Sequence, residues 1–295
     1  MRIILALLVL LIPAVASAQR LGPQNFGTTV YQGPGNIVTG ARGWWGLRGY
    51  SSKSAGSSQA AALILRASDS TTTTIHILPS GQFDTATALT FCSGTTCSVQ
   101  TLYDQSGNGF DLTQSTAANQ PQLLFSCLGF APCLYFAGSA SQVLVNTGVT
   151  SIAQPNTVEM VGERTANFTS EMDAFSALSS GFVGQVNGWW GTANWLFVYA
   201  GTNSVYYEPF ADQVLHAMVF VNNAASSMAY IDGTSQSASQ TPGTDSTYTT
   251  LSMGGNAAQA THYMTGYMTE MGIWGLGMNS TQANALVANQ QANWR

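Results

Sequence analysis

The chain has 295 residues but only eight basic and thirteen acidic side chains, a net charge of −5. So sparse and mildly acidic a charge set excludes a nucleic-acid partner, whose binding needs a basic face to displace counterions. With 7% charged and 45% hydrophobic residues, the polar surface must be built from Ser, Thr, Asn, Gln and Gly, and the chain is too apolar to be disordered.

Met1 to Ala18 reads as a secretory signal peptide. Arg2 gives a short positive start, Ile3 to Val15 an apolar run, and Ala16-Ser17-Ala18 a small-residue cleavage site before Gln19. The run is shorter than the roughly 20 residues of a spanning helix, and no later stretch is apolar enough to span, so no membrane span is expected. The expected location is secreted or periplasmic. Residues 19–49 are Gly-rich and read as an irregular N-terminal arm anchored by Trp44 and Trp45. Residues 50–295 then read as one domain, with no internal repeat and no linker.

Ala60 to Arg66 and Thr73 to Leu78 read as strands. In the second, His76 falls on the polar face. Val99 to Tyr103 is a further strand, closed by the turn-rich knot Asp104-Gln-Ser-Gly-Asn-Gly109, where Asp104 reads as an architectural acid. Four cysteines, Cys92, Cys97, Cys127 and Cys133, stand behind a secretion signal, an even number that points to two disulfides. The local pairs Cys92–Cys97 and Cys127–Cys133 are favoured among the three connectivities. A zinc site would need clustered His or additional Cys, and His76, His216 and His262 are scattered. A calcium loop at Asp104 lacks its late glutamate, since Ser115 stands there. No metal and no cofactor are expected.

From Thr157 onward, strands follow one another: Thr157–Glu163, Trp195–Ala200, Val214–Val221, Met228–Ile231, Thr249–Met253 and His262–Trp274. Asp232-Gly233 is a hairpin turn. The one good helix is the last, capped by Asn279 or Ser280, with Ala283, Leu286, Val287 and Ala288 on one side. Many short strands and almost no other helix predict an all-β fold, a two-sheet β-sandwich or jelly roll with a short C-terminal helix.

Phe91-Cys-x4-Cys97 followed by Tyr103-Asp-Gln-Ser-Gly-Asn-Gly109 resembles the catalytic domain of the α-L-arabinofuranosidase B type, the family-54 glycoside hydrolases. Arg66-Ala-Ser-Asp69-Ser-Thr-Thr-Thr-Thr-Ile75 and Asn279-Ser-Thr-Gln-Ala-Asn-Ala-Leu-Val-Ala288 are similar to the same family. Tyr230-Ile-Asp-Gly233, Leu251-Ser-Met-Gly-Gly-Asn256 and Tyr263-Met-Thr-Gly-Tyr-Met-Thr-Glu270 resemble the closing hairpins of concanavalin-like and laminin-G-like sandwiches. The resemblance implies a glycan-active protein directed at arabinofuranosyl-containing polysaccharide. A partner polysaccharide or cell-surface glycan follows from it. The family's separate sugar-binding trefoil domain has no room in this length.

The resemblance also implies where the chemistry would sit. A family nucleophile glutamate follows a Trp-x-x-Val pattern, which here is Trp195-Leu-Phe-Val198-Tyr199-Ala-Gly201-Thr-Asn203, so Gly201 holds the nucleophile position and Tyr199 a neighbouring acidic one. The family's acid in a Gly-Gly-Asp turn corresponds to Gly254-Gly255-Asn256, and Asn cannot donate a catalytic proton. No two cysteines are adjacent, unlike the pair under the sugar in that family. Glu171 and Asp173, two apart and sharing a face of a strand, are the candidate substitutes, with Glu163, Glu208 and Glu270 on or beside other strands. For sugar contact, Trp189, Trp190, Tyr199, Asn203 and Asn256 are the candidates, since flat rings and fixed amides suffice. Trp195, Tyr206 and Tyr207 add aromatic surface, and Trp195 reads as core. Consecutive Trp189 and Trp190 must point to opposite faces of a strand. Two readings therefore stand: a hydrolase, or a non-catalytic glycan-binding or adhesion module. Asn167-Phe-Thr169 and Asn279-Ser-Thr281 are sequons.

Overall fold

The computed structural model describes residues 30–127, 131–165, 171–179, 184–190, 195–207, 213–245 and 247–294. The signal segment, Glu208, the Asn167 sequon and the side chain of Trp190 lie outside these described residues.

In chain order the first half contains α1 (Pro34–Ile37), β1 (Ala41–Gly46), α2 (Ser52–Gly56), β2 (Ala60–Arg66), β3 (Thr72–His76) and α3 (Thr85–Phe91). It continues with β4 (Cys97–Leu102), β5 (Leu112–Thr113), β6 (Gln122–Cys127), β7 (Ala131–Phe136), β8 (Leu144–Asn146) and β9 (Asn156–Arg164). The second half holds β10 (Met172–Leu178), β11 (Gly184–Trp190), β12 (Trp195–Tyr199), β13 (Ser204–Tyr207) and β14 (His216–Asn222). It closes with β15 (Met228–Ile231), β16 (Thr234–Ser237), β17 (Thr250–Met253), β18 (Gly266–Trp274) and α4 (Ser280–Trp294).

Pairing is antiparallel throughout these strands and follows two paths. One runs β13–β12–β11–β10–β17–β8–β5–β4–β2–β3. The other runs β16–β15–β14–β9–β18, and the far edge of β18 is shared by β1 and β7. The paths join where β7 pairs with β6 and β6 with β4. A single apolar cluster fills the space between them, with Trp45, Ile64, Phe136, Met160, Phe175, Trp189, Val198, Phe220 and Met271 all buried. Each such side chain contributes about 1.5–3 kcal/mol by leaving water. The two-sheet β-sandwich is thus the observed architecture.

The N-terminal arm is not irregular throughout, which corrects the sequence reading. Ala41–Gly46 forms β1 and pairs with β18 in register Trp44↔Gly272 and Trp45↔Met271. Both tryptophans are fully buried, on opposite sides of the strand, in two different clusters. A Gly-rich surround hid a strand whose partner lies some 230 residues later.

α4 covers the outer side of the second path. Ala283, Leu286 and Val287 pack with Val219, Val221, Tyr230 and Trp274. Asn279 Oδ1 accepts from the amide of Gln282 (3.0 Å), and Gln282 Oε1 accepts from the amide of Asn279 (3.1 Å), a reciprocal cap. The Asn279 side chain is thereby engaged in the helix start. Among the described residues no helix is long and apolar enough to cross a membrane.

Two disulfides form the expected local bridges, Cys92–Cys97 and Cys127–Cys133. Asp104 is the centre of its turn: its carboxylate accepts from the amides of Trp44 (3.0 Å), Ser106 (2.9 Å) and Phe110 (3.1 Å). The knot therefore holds β1 as well as itself.

Candidate functional site

The side chains with chemistry collect on the side of β17–β10–β11–β12 that faces away from the main core. Period-two alternation sends Trp189, Leu196 and Val198 inward, and Val186, Phe197 and Tyr199 outward. Leu178, Val186 and Phe197 make a small second cluster there, against which Tyr199, Tyr206 and Ala258 pack.

The loop from Gly254 to His262 folds over this face. Gly254 has φ +89°, and a Cβ there would lie 2.2 Å from the Phe136 ring, so the turn demands glycine. Asn256 and Thr261 exchange backbone hydrogen bonds of 3.0 and 3.2 Å. Asn256 is fully buried; its Oδ1 accepts from the amide of Gln259 (3.2 Å), while its Nδ2 has no hydrogen-bond partner among the described residues. The loop ends where His262 oxygen accepts from the amide of Asp173 (2.9 Å), which fastens it to the start of β10.

That bond brings Glu171, Asp173 and His262 together. One ligating atom from each lies within 4.8 Å of the others. His262 Nδ1 is 3.8 Å from Glu171 Oε1 and 4.0 Å from Asp173 Oδ2. Asp173 is completely buried, and among the described residues no amide, hydroxyl or amine donates to either of its oxygens. Glu171 is the acidic neighbour, with a ligating oxygen within 4.8 Å. Burial, then the charge of Glu171, push Asp173 well above the usual carboxylate range. Glu171 is raised too, by burial, with His262 and Asp173 opposing. The expected pairing of Glu171 with Asp173 is found; the histidine 91 positions later is what sequence spacing could not reveal.

Tyr199 stands half-buried on the same face, its phenol pushed up by burial and by the carboxylates of Asp245 and Glu171. Asp245 comes from the loop after β16: its amide donates to Ala200 oxygen (2.9 Å), and its carboxylate lies over Gly201. Asn203 is turned to the same loop, Nδ2 donating to Thr241 oxygen (3.0 Å). Trp189 is 2% exposed and belongs to the core cluster, against Gly162 of β9. It does not reach the outer face. Trp195 is half-buried at the edge, ring to ring with Tyr206 at 6.2 Å.

Glu163 and Glu270 lie elsewhere. Glu163 sits on β9 opposite Tyr267, and burial raises its carboxyl to about 7. Glu270 is fully buried under α4, bound by Arg48 and by Trp294 Nε1 (2.7 Å). It is structural.

Residues 55–124 match the family profile described as Alpha-L-arabinofuranosidase B, catalytic. The α-L-arabinofuranosidase B of Emericella nidulans is 55% identical over 53 residues, 18% of this chain and 10% of that protein. The α-L-arabinofuranosidase of Hypocrea jecorina is 48% identical over 52 residues, again 18% and 10%. The match thus spans about a tenth of the length of these curated relatives. Among solved structures, a family-54 α-L-arabinofuranosidase soaked with a cyclic sulfate inhibitor superposes with TM-score 0.75 at 18% identity, over 89% of this chain and 66% of that one. An arabinofuranosidase complexed with arabinofuranosyl-α-1,2-xylobiose gives the same TM-score at 19% identity, over 89% and 65%. At that identity the superposition speaks for the fold alone. The sequence match covers α3 and β2 to β5 with parts of α2 and β6, and leaves the face built by β10–β13 and the 254–262 loop outside it. In fold over 89% of its length, and in sequence over residues 55–124, the chain resembles the catalytic domain of the α-L-arabinofuranosidase B type.

Proposed function

We propose that the protein acts outside the cytoplasm as a carbohydrate-active protein that takes arabinofuranosyl units of a polysaccharide on the outer face of β10–β12, and that it recognises them without hydrolysis. One observation carries this reading. Of the two carboxyls best placed for chemistry, Glu171 and Asp173, the second is fully buried, so the pair does not flank an open space. A retaining glycosidase holds its two carboxyls about 5 Å apart with the sugar bond between them, and an inverting one holds them wider. A carboxyl with no exposed surface cannot reach an anomeric carbon bound on the outer face. A half-buried tyrosine, a small apolar floor and polar groups held by a loop are what sugar recognition needs. The two disulfides fit an oxidising compartment.

Hydrolysis is the second reading, favoured by the arabinofuranosidase match. In it Glu171 and Asp245, both acting on Tyr199, would be the working carboxyls. The test is one preparation assayed twice: retention on immobilised arabinan, and release of chromophore from an aryl α-L-arabinofuranoside. Retention that is lost in Tyr199→Ala, with no chromophore released, is the expected result. Turnover abolished by Glu171→Gln would replace recognition with hydrolysis. Failure to be retained on arabinofuranosyl glycans, without turnover, would sink both.

A further inference from the structure

We propose that Glu171, Asp173 and His262 form a binding site for a divalent cation of the zinc class. The proposal stands on the cluster itself and does not depend on which glycan, if any, the face receives.

The distances are the first argument. His262 Nδ1 lies 3.8 Å from Glu171 Oε1 and 4.0 Å from Asp173 Oδ2, too far for hydrogen bonds. Ligand atoms about 2.0–2.2 Å from a tetrahedral zinc ion stand about 3.3–3.6 Å apart, a few tenths of an ångström closer than these pairs. All three groups lie within 4.8 Å of one another, so an inward rotamer adjustment of the partly exposed Glu171 and His262 side chains brings them onto one ion.

The burial of Asp173 is the second argument and is independent of the count of acids. Its carboxyl is 0% exposed, aimed at the other two groups, and meets no donor among the described residues. A carboxylate withdrawn from water without donors is costly, and two carboxylates within 4.8 Å of each other disfavour each other's charged form unless something positive joins them. A divalent ion meets both demands at once. Nitrogen beside oxygen in the donor set favours a zinc-like ion over calcium or magnesium, which take oxygen alone.

Access and rigidity complete the site. Side chains of Glu171 and His262 are 18% and 26% exposed, which leaves a solvent side for a water or hydroxyl as fourth ligand. The bond from the Asp173 amide to His262 oxygen fixes the loop ligand to the strand ligands before any ion arrives. Three ligands with an open position is the pattern of an accessible site rather than a closed structural one.

The test is calorimetric titration of zinc chloride into the metal-stripped full chain. We expect one ion per chain, bound at least tenfold more weakly in Asp173→Asn and in His262→Gln, and unchanged in Glu163→Gln. His262→Gln alters a partly exposed loop residue and keeps the test valid if Asp173→Asn fails to fold. Zinc should also raise the melting temperature of the unmodified chain and not that of His262→Gln. Absence of saturable binding to the folded chain, or binding undiminished in His262→Gln, would overturn the proposal. Neither result bears on retention by arabinan, so the two proposals fail separately.

Discussion

The carboxylate of Asp245 fills the space that a side chain on residue 201 would need: a Cβ built on Gly201 lies 2.1 Å from Asp245 Oδ2. Gly201 has φ +90°, a conformation that L side chains rarely adopt, and a Cβ on the neighbouring Gly243 (φ +107°) would lie 2.0 Å from Ala200 oxygen. The turn after β12 and the loop carrying Asp245 are thus fitted to each other. The family resemblance assigns a nucleophile glutamate to position 201, and here the acid lying against that point, Asp245, is supplied from another segment.

Gly201→Glu should therefore destabilise the chain rather than arm it. Backbone strain of about 1–3 kcal/mol adds to the clash with Asp245. Adding Asp245→Ala should recover the part due to the clash and leave the part due to φ. Urea midpoints of the single and double variants check this. A single variant as stable as the parent would show that the turn can rearrange.

Arg48 and Glu270 form a second long-range relationship, a fully buried ion pair with Nε–Oε2 at 2.5 Å and Nη2–Oε1 at 2.7 Å. α4 closes over it: Asn289 accepts from Arg48 (2.9 Å), Trp294 donates to Glu270, and Gln290 donates to the buried Glu159 (2.8 Å), which also accepts from Trp44. Removing one partner leaves a buried charge uncompensated. Glu270→Gln is expected to cost about 3–5 kcal/mol, and Arg48→Met with Glu270→Leu much less than Arg48→Met alone. Denaturant melts of the three variants decide it.

Glu163 makes stability depend on pH. Burial raises its folded value to about 7, against 4.5 as the ordinary value, with His216 opposing. The folded state therefore holds a proton that the unfolded state has released between these values. Stability from this group falls as pH rises from about 4.5 through 7 and levels off above. Glu163→Gln should flatten that fall and be the more stable form at pH 8, by on the order of 1 kcal/mol given how near the group lies to solvent. Melting temperatures of both forms at pH 5 and pH 8 test the sign. An unchanged difference at the two pH values would contradict it.

How far the sequence could be read depended on whether the signal was local. The disulfide pairs, the Asp104 knot and the Asn279 cap are each made by residues close in the chain, and all three were legible. β9 was legible as a run although every residue in it is buried, because β-branched and long apolar side chains mark it without alternation. The missed elements had weaker marks. α3 is announced only by Asp84, whose side chain accepts from the Thr87 amide (3.0 Å) ahead of a Thr-rich run that favours strands. β1 hides among glycines. At the site, period two placed Glu171 beside Asp173, but His262 and Asp245 arrive from loops whose docking depends on tertiary contacts. Trp189 shows the limit of counting aromatics: alternation said that one of the tandem tryptophans faces outward, not which one.

Asn256 is where the resemblance places an aspartic acid, and its surroundings predict what that residue would do. The side chain is fully buried, with a single donor on its oxygen, the Gln259 amide. An aspartate there would be desolvated and poorly hydrogen-bonded, so its pKa in the folded chain would rise above the ordinary carboxylate value. Asn256→Asp should then be close to the parent in stability at pH 4, where the carboxyl is protonated, and lose stability as pH rises, by about 1–3 kcal/mol at pH 8. A melting-temperature series from pH 4 to pH 8 on both forms measures this directly. A constant difference across the series would mean that the 254–262 loop opens to solvate the new charge. A growing one would establish a buried, neutral acid at the rim of the Tyr199 face, which the chromogenic assay can then examine for turnover.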